Sequence, residues 1–340
     1  RLGEPPRHMV TGVPAYVDGR MIEITEAAGG RLINRDRMWH YVEGIRNWDP
    51  IWPGHGIRIL PGPSSLWLDA TGQRLPAPLF PGYDTLGTLE HLRATGHDHS
   101  WFITNRSIAG KEFALSGSEQ NQDLTGKEVA GVIRKRSLAD VTPSMQAFLD
   151  QGADFVQADT VEQLVAKMNE LVEDGEPRLD PALVKKQVDE RDAQLDNPYG
   201  KDAQIAAMRV ARSYVGDKIS KRAYPPHKLT DPKKGPLVGV KLHVLSRKTL
   251  GGFLPSLVEL HARVQQEGKD RPHRLHTLYL SPLKALSVDV ARNLMIPVEE
   301  MGLGLRIETR TGDTPVSKRQ RQREKPPDIL LTTPEQLALF

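Results

Sequence analysis

Apolar residues between Val17 and Ile33 recur at near-helical spacing, at Met21, Ile22, Ile24, Ala27 and Ala28, after Asp18-Gly19 and before Gly29-Gly30. That pattern predicts a helix that stops at a glycine turn. Leu32 and Ile33 then begin an extended piece leading to Met38-Trp39-His40-Tyr41. His55 to Leu60 reads as a strand, Pro61-Gly62 as a turn, Ser65 to Leu68 as a second strand and Asp69 to Gly72 as a tight turn. From about Thr85 to Leu229 the pattern becomes helix-rich and charged. Within that span Thr160, followed three residues later by Gln163, predicts a capped helix start. Leu237 to Leu245 alternates as a strand does.

Beyond Leu245 the pattern changes. Phe253 to Ala262 runs as an apolar helix, Gly268 to Arg274 as a linker and Leu275 to Leu280 as a strand. A helix through Leu294 follows, then strands near Leu305 to Glu308 and at Asp328 to Leu331, and Thr332 to Leu337 completes the series. Strand and helix alternate, which predicts a parallel α/β sheet. The join between the two regimes, Leu245 to Leu257, admits two readings. Lys248-Thr249 is the end of a phosphate-binding loop, or Thr249 to Gly252 is a turn against a flavin ring. A phosphate loop ending at Lys248-Thr249 requires glycines at positions 242 and 247, where the chain has Leu242 and Arg247. Side chains then intrude where backbone amides would wrap the phosphates, so ATP hydrolysis is expected to be absent.

Composition narrows the class without choosing between these readings. With 340 residues the chain is long enough for two domains. It contains 38% hydrophobic and 26% charged residues, as soluble globular proteins do. No run approaches the roughly 20 apolar residues that span a bilayer. No membrane segment or signal peptide is read, and a cytoplasmic location is expected. The absence of cysteine removes disulfides, thiolate metal sites and a cysteine nucleophile. A net charge of +3 is too small to argue for nucleic acid by itself. Arg1 and Phe340 both read as cut ends.

Several isolated signals carry less than they first suggest. His97-Asp98-His99 is dense in ligand types, but neighbours on a strand point to opposite faces and no further ligand is marked, so no metal is expected. Ser64 and Ser65 lack the Gly-x-Ser-x-Gly surroundings of a nucleophile elbow. Trp39, Tyr41, Trp48 and Trp52 are read as core and loop packing, since basic residues do not interleave them regularly.

The order of elements up to Gly252 resembles the flavoprotein family of fumarate reductase flavoprotein subunits and 3-ketosteroid dehydrogenases. The resemblance is carried by Gly19, Ala28-Gly29-Gly30 and Gly72-Gln73-Arg74. Bacterial FAD-binding dehydrogenases are similar through Arg37-Met-Trp-His-Tyr41, Gly62-Pro-Ser-Ser-Leu-Trp-Leu-Asp69, Pro78-Leu-Phe-Pro-Gly82 and Phe113-Ala-Leu-Ser-Gly-Ser-Glu-Gln-Asn121. The resemblance implies an α/β fold with a partial FAD-binding, Rossmann-like domain at 1–84, an inserted α+β cap at 85–230 and a returning strand at 231–252. It implies FAD as the parent cofactor, with Gly19, Thr249, Gly251 and Gly252 against it, and a small-molecule substrate. Lys201, in a string similar to the family's Asp-x-x-Phe-Gly-Arg, and Lys248 are its candidate catalytic cations. No Gly-x-Gly-x-x-Gly occurs in the chain, so tight FAD binding is not expected.

Residues 253–340 instead resemble the first RecA-like domain of Lhr-like and ligase-associated DEXH-box helicases. Ser281-Pro-Leu-Lys-Ala-Leu286, Thr311-Gly-Asp313 and Thr332-Thr-Pro-Glu335 are similar to motifs Ia, Ic and Ib. The resemblance implies contacts to a DNA or RNA backbone from Pro282, Lys284, Thr311, Gly312, Thr332, Thr333 and Glu335, through residues 281–337. ATP and magnesium belong only to the helicase parent. The basic run Lys318, Arg319, Arg321, Arg323 and Lys325 is read as a solvated helix face. The expected whole is a fragment of an FAD-dependent dehydrogenase fused to a helicase fragment and inactive as it stands. The alternative is a nucleic-acid-binding helicase fragment. Both patterns coincide at Lys-Thr-Leu-x-Gly, which reads as a seam.

Overall fold

The computed structural model describes residues 6–14, 20–27, 39–117, 119–121, 141–214, 223–247, 254–268, 271–272, 274–280, 287, 290–291, 294–295, 298–300 and 302–337. The chain divides into two compact units, Arg1–Thr249 and Leu250–Phe340. Among the described residues no helix is long and apolar enough to cross a membrane.

The first unit runs β1 (Met9–Thr11), α1 (Arg20–Ala27), β2 (Trp39–Arg46), β3 (Gly56–Leu60), β4 (Leu66–Asp69), α2 (Thr85–Ala94), β5 (His99–Asn105), α3 (Arg106–Glu112) and β6 (Ala114–Leu115). It continues through α4 (Pro143–Gln151), β7 (Phe155–Ala158), α5 (Val161–Glu170), α6 (Pro181–Asp196), α7 (Ala203–Ser213) and β8 (Leu237–Arg247). The helix expected to end at a glycine turn is α1, and the expected cap is formed: Thr160 accepts a hydrogen bond from the Gln163 amide at the start of α5.

The last strand of this unit, β8, stands at its centre. It pairs antiparallel with β5 from Leu237↔Asn105 to His243↔His99, with β7 over Leu237–Val240 and with β2 over His243–Arg247. It lies parallel to β1 over Val244–Ser246. Its alternation sends Val238, Val240, Leu242 and Val244 into one core with Trp67, Phe102 and Phe148. Leu237 enters a second core with Leu66, Trp101, Ile103, Leu164, Met168 and Val188. The first face is uniformly apolar, whereas the second also carries Gly239 and the buried side chains of Lys241 and His243. Gly239 is required on the second face, where a Cβ would stand 2.8 Å from Met168 Cγ.

At its far end the sheet closes on itself. Thr11 of β1 bridges His55 at the head of β3, β3 pairs with β2, and β2 pairs with β8, so β1, β8, β2 and β3 form a ring. Its interior is too narrow for inward side chains at every position. A Cβ on Gly44 would lie 2.7 Å from His243 O, and one on Gly56 2.5 Å from Val10. A bulge in β2 between Tyr41 and Gly44 supplies the bend.

The two strands expected around Pro61-Gly62 do not pair with each other. β3 pairs with β2 and β6, whereas β4 pairs with β5. Glu112 explains the detour, since Gly62 N–H donates to its carbonyl and Ser64 N–H to its carboxylate. The tight turn after β4 is formed, with Asp69 Oδ1 accepting from the Thr71 and Gln73 amides.

The second unit contains α8 (Leu254–Glu267), β9 (Thr277–Leu280), β10 (Ile307–Arg310), α9 (Val316–Glu324), β11 (Ile329–Thr332) and α10 (Pro334–Leu337). Its sheet has the order β10-β11-β9 and is parallel throughout, as the alternation predicts. Leu260, Leu294, Val298, Leu303, Ile329 and Leu331 form its core. β10 begins two residues later than the apolar pattern suggests, because the Arg306 N–H donates to the Asp328 carboxylate while its carbonyl accepts the Asp328 and Ile329 amides, instead of continuing the ladder.

Candidate functional site

Of the residues expected against a flavin, Gly19, Thr249, Gly251 and Gly252 lie outside the described residues, as does Lys248. Lys201 is exposed on the loop between α6 and α7. The described residues show where β8 ends, at Arg247. The carboxyl ends of the parallel strands β1 and β8 open to the same side, with Thr11 beside Ser246 and Gly12 N–H donating to Ser246 O at 3.0 Å. Crevices outside the carboxyl ends of parallel strands are where α/β folds place ligands.

A buried polar group borders this end. Trp52 Nε1–H donates to Thr11 O, and its ring stacks 3.7 Å from that of His55. His55 Nδ1 lies 3.1 Å from Asn47 Nδ2 and accepts from the Ile51 amide at 3.2 Å, so the ring proton resides on Nε2. Nε2 faces Glu119 Oε1 at 3.6 Å. Burial holds His55 below the usual histidine range, against the opposing charge of Glu119. Gly117, at φ +104°, and Asn121, which donates to Leu115 O and Gly117 O, shape the segment that presents Glu119. The sequence signal for this arrangement is the string from Phe113 to Asn121, whose polar residues exceed what a short strand needs.

The described residues do not by themselves fit FAD. The Gly12 amide is committed to Ser246 O, and Gly56 is committed to strand packing against Val10. Neither is available to wrap a pyrophosphate.

Two further buried networks were not legible as sites. Asp154, fully buried, accepts from Arg46 N, Arg46 Nε and His243, while Lys241 Nζ donates to Glu176 at 2.7 Å and to Leu171 O. Glu112 accepts from Ser64 Oγ and Tyr224 N, and Arg191 donates to Asp192 and to the carbonyls of His227 and Ser64. The parity of Lys241 and His243 in β8 was the available signal, because both occupy the inward face that Gly239 shares. Asp98 of the histidine triplet pairs with Arg93, and His99 Nδ1 meets Glu176 at 3.1 Å. Of the aromatic cluster, Tyr41 lies beneath Arg58 and Trp48 packs on the core.

In the second unit the register brings Thr311, Gly312, Thr332, Thr333 and Glu335 to one end of the sheet. Arg310 pairs with Thr332 and Thr332 with Leu280, so Thr311-Gly312 and Thr333 to Glu335 leave the sheet on the side where β9 ends. Pro282 and Lys284 lie outside the described residues. Thr332 Oγ1–H donates to Arg310 O, and Thr333 O accepts the amides of Gln336 and Leu337. Glu335 is held below the usual carboxylate range by its own backbone amide and the Thr333 hydroxyl. Thr311 N–H donates to Thr314 Oγ1, and Gly312 has nothing within 4 Å of where a Cβ would stand. The basic run forms α9 and is not a uniformly solvated face. Arg321 pairs with Glu308, and Arg319 turns back onto the 311–314 turn. Burial, then the charges of Arg323 and Arg319, hold the buried Arg310 below the usual arginine range.

The FAD binding domain family matches residues 1–273, and the DEAD/DEAH box helicase family matches residues 242–340. The two matches share residues 242–273, of which 242–247 are strand β8. KsdD-like steroid dehydrogenases of Mycobacterium tuberculosis and Mycolicibacterium smegmatis are 57% identical over 78% of this chain, and 46% and 48% of their own lengths are covered. The chain thus spans about half the length of these curated relatives. The Lhr helicase/uracil glycosylase of Escherichia coli is 42% identical over 28% of this chain and 7% of its own length. Among solved structures, Mycobacterium smegmatis helicase Lhr bound to ssDNA and AMP-PNP is 38% identical over 26% of this chain and 12% of its own, with a TM-score of 0.20. An open flavocytochrome c3 fumarate reductase is 14% identical over 72% of this chain and 32% of its own, with a TM-score of 0.38. The chain is therefore an FAD-binding dehydrogenase-like region joined to a helicase-like one, and through residues 1–273 it belongs to the FAD binding domain family.

Proposed function

We propose that residues 1–247 are the substrate-side body of an FAD-dependent dehydrogenase for a small molecule of the steroid class. In this chain that body is joined to a helicase-type segment, with neither tight flavin retention nor ATP hydrolysis. The course of β8 carries this reading. Leu242 is buried and paired with Ser100, and Ser246 is paired with both His40 and Thr11. A phosphate loop ending at Lys248-Thr249 would have to draw residues 242–247 out of the middle of a sheet. The same course ends β8 at Arg247 beside the carboxyl end of the parallel strand β1, and Thr249–Gly252 follow it in sequence, which supports a flavin-contacting turn there. The steroid class follows from the names of the dehydrogenase relatives.

The test uses the purified 340-residue chain. After desalting it is expected to be colourless, to hydrolyse no ATP with or without DNA, and to bind a 3-ketosteroid probe in a tryptophan-fluorescence titration. A visible flavin band that survives desalting, or ATP turnover, overturns the statements on cofactors. A flat fluorescence titration overturns the substrate class.

The register of the second sheet favours a second reading for residues 254–337, contact with the backbone of single-stranded DNA. Hydroxyls and backbone amides gathered on one edge suit phosphates without reading bases. Binding of an oligothymidylate that weakens with salt, with a log–log slope reduced by about one in Lys284→Ala, supports it. Salt-insensitive binding, or none, refutes it.

A further inference from the structure

We propose that Arg319 is a positioning residue of the nucleic-acid grip: its half-buried guanidinium holds the 311–314 turn in shape and touches no phosphate. The proposal rests on the single-stranded DNA reading of the second unit. Arg319 lies in the basic run of α9, where charge alone would assign it to solvent or to a phosphate. Two of its three guanidinium nitrogens are committed to the turn instead. Nε–H donates to Thr314 O at 2.7 Å, and the NH2 nitrogen donates to Gly312 O at 2.6 Å and to Thr311 O at 3.4 Å. One planar fork thus gathers three carbonyls of a single turn, and a lysine cannot reproduce that geometry from one point charge.

The consequence lies on the opposite side of the turn. In a trans peptide the C=O and the following N–H point in opposite directions. Drawing the Thr311 and Gly312 carbonyls onto Arg319 therefore aims the Gly312 and Asp313 amides away from it. The turn is braced independently by Thr311 N–H on Thr314 Oγ1 at 2.9 Å and by Thr314 N–H on Thr311 O at 3.0 Å. Gly312 leaves that outer side open, with nothing within 4 Å of a Cβ position. The Gly312 amide, turned to that open side, is the kind of backbone donor that meets a phosphate oxygen. The turn leaves the same sheet edge as Thr333 and Glu335, so its outer side belongs to the edge assigned to the nucleic acid.

The experiment measures oligothymidylate affinity of the full chain across a salt series for the wild type, Arg319→Lys, Arg319→Ala and Thr314→Ala, with thermal melts of each. A positioning role predicts that Arg319→Lys and Arg319→Ala both lose affinity by on the order of tenfold with an unchanged log–log salt slope. Thr314→Ala, which alters no charge, is expected to lose affinity in the same way. A phosphate-contacting role predicts instead that Arg319→Lys binds like the wild type and that Arg319→Ala lowers the slope by about one; either result overturns the proposal. If an Arg319 variant loses its cooperative melt, Thr314→Ala decides, and wild-type binding there overturns the proposal. A wild type that does not bind overturns the DNA reading itself, and a wild type that binds with unaffected variants overturns only the role of Arg319.

Discussion

Glu112→Gln probes the interior of the first unit through its pH dependence. Glu112 ends α3 among three donors, Ser64 Oγ at 2.6 Å, Ser64 N at 3.0 Å and Tyr224 N at 2.6 Å. Burial outweighs these bonds and the charge of Arg191, and lifts the carboxyl from 4.5 to about 7. A carboxyl raised on folding binds its proton more tightly in the native state. Its contribution is therefore most favourable below about pH 4.5, declines as pH rises to about 7, and is constant above that. The interval, about 7 minus 4.5, is about 2.5 pH units, and at 1.36 kcal/mol per unit it is worth roughly 3 kcal/mol. Glutamine removes the titration but offers one acceptor oxygen to three donors, which costs about 1 to 2 kcal/mol. The variant should be less stable than the wild type at pH 4.5 and as stable or more stable at pH 8, a reversal of about 3 kcal/mol in the difference. Urea unfolding followed by tryptophan fluorescence across this range measures it. A difference that stays constant with pH, or grows against the variant as pH rises, refutes the reasoning.

Four other substitutions, in three experiments, test further features of the first unit. Burial would raise the Asp154 carboxyl, but His243 and Arg46 together pull it below its usual range, so its contribution is present above its unfolded pKa and is lost as pH falls through the folded one. Asp154→Ala should cost about 3 kcal/mol at pH 7 and flatten the acid limb of the stability curve, and a variant as acid-sensitive as the wild type contradicts this. Gly239→Ala should cost about 1 to 2 kcal/mol against Met168, and Met168→Ala in the same chain should recover part of it; strict additivity in the double-mutant cycle removes that explanation. Burial lowers His55 while Glu119 opposes it, so Glu119→Gln should lower the imidazole pKa further in an NMR titration. An unchanged or raised value would show that Glu119 does not act on the ring.

Local elements were legible where local chemistry determines them. Thr160 caps α5 because its hydroxyl meets an amide three residues on, and β8 forms where alternating valines and leucines demand two cores. The second sheet was legible from strand–helix alternation alone. What escaped the sequence depends on partners distant along the chain. β1 has three residues, too few for any pattern, and becomes a strand because β8 and the head of β3 receive it. The route from β3 to β4 is set by Glu112, about fifty residues downstream of the turn it holds. Arg319 belongs to a charge run whose usual meaning is solvation, and only the fold of the preceding turn reveals that its guanidinium is bound to that turn's carbonyls.

The central place of β8 also sets when the first unit can fold. Its partners span Met9 to Ala158, yet β8 itself ends at Arg247, so a ribosome must complete nearly all of the first unit before its sheet can close. Until then β2 and β5 each present an open edge, which favours binding by chaperones or by another nascent chain. Contacts this distant in sequence place folding in the millisecond-to-second range. Residues 250–340 need on the order of 5 to 20 s to be made, so the first unit has time to close while the second is still emerging. A nascent chain arrested before Leu237 should therefore be sensitive to protease throughout, and one arrested after the second unit has begun should protect the first.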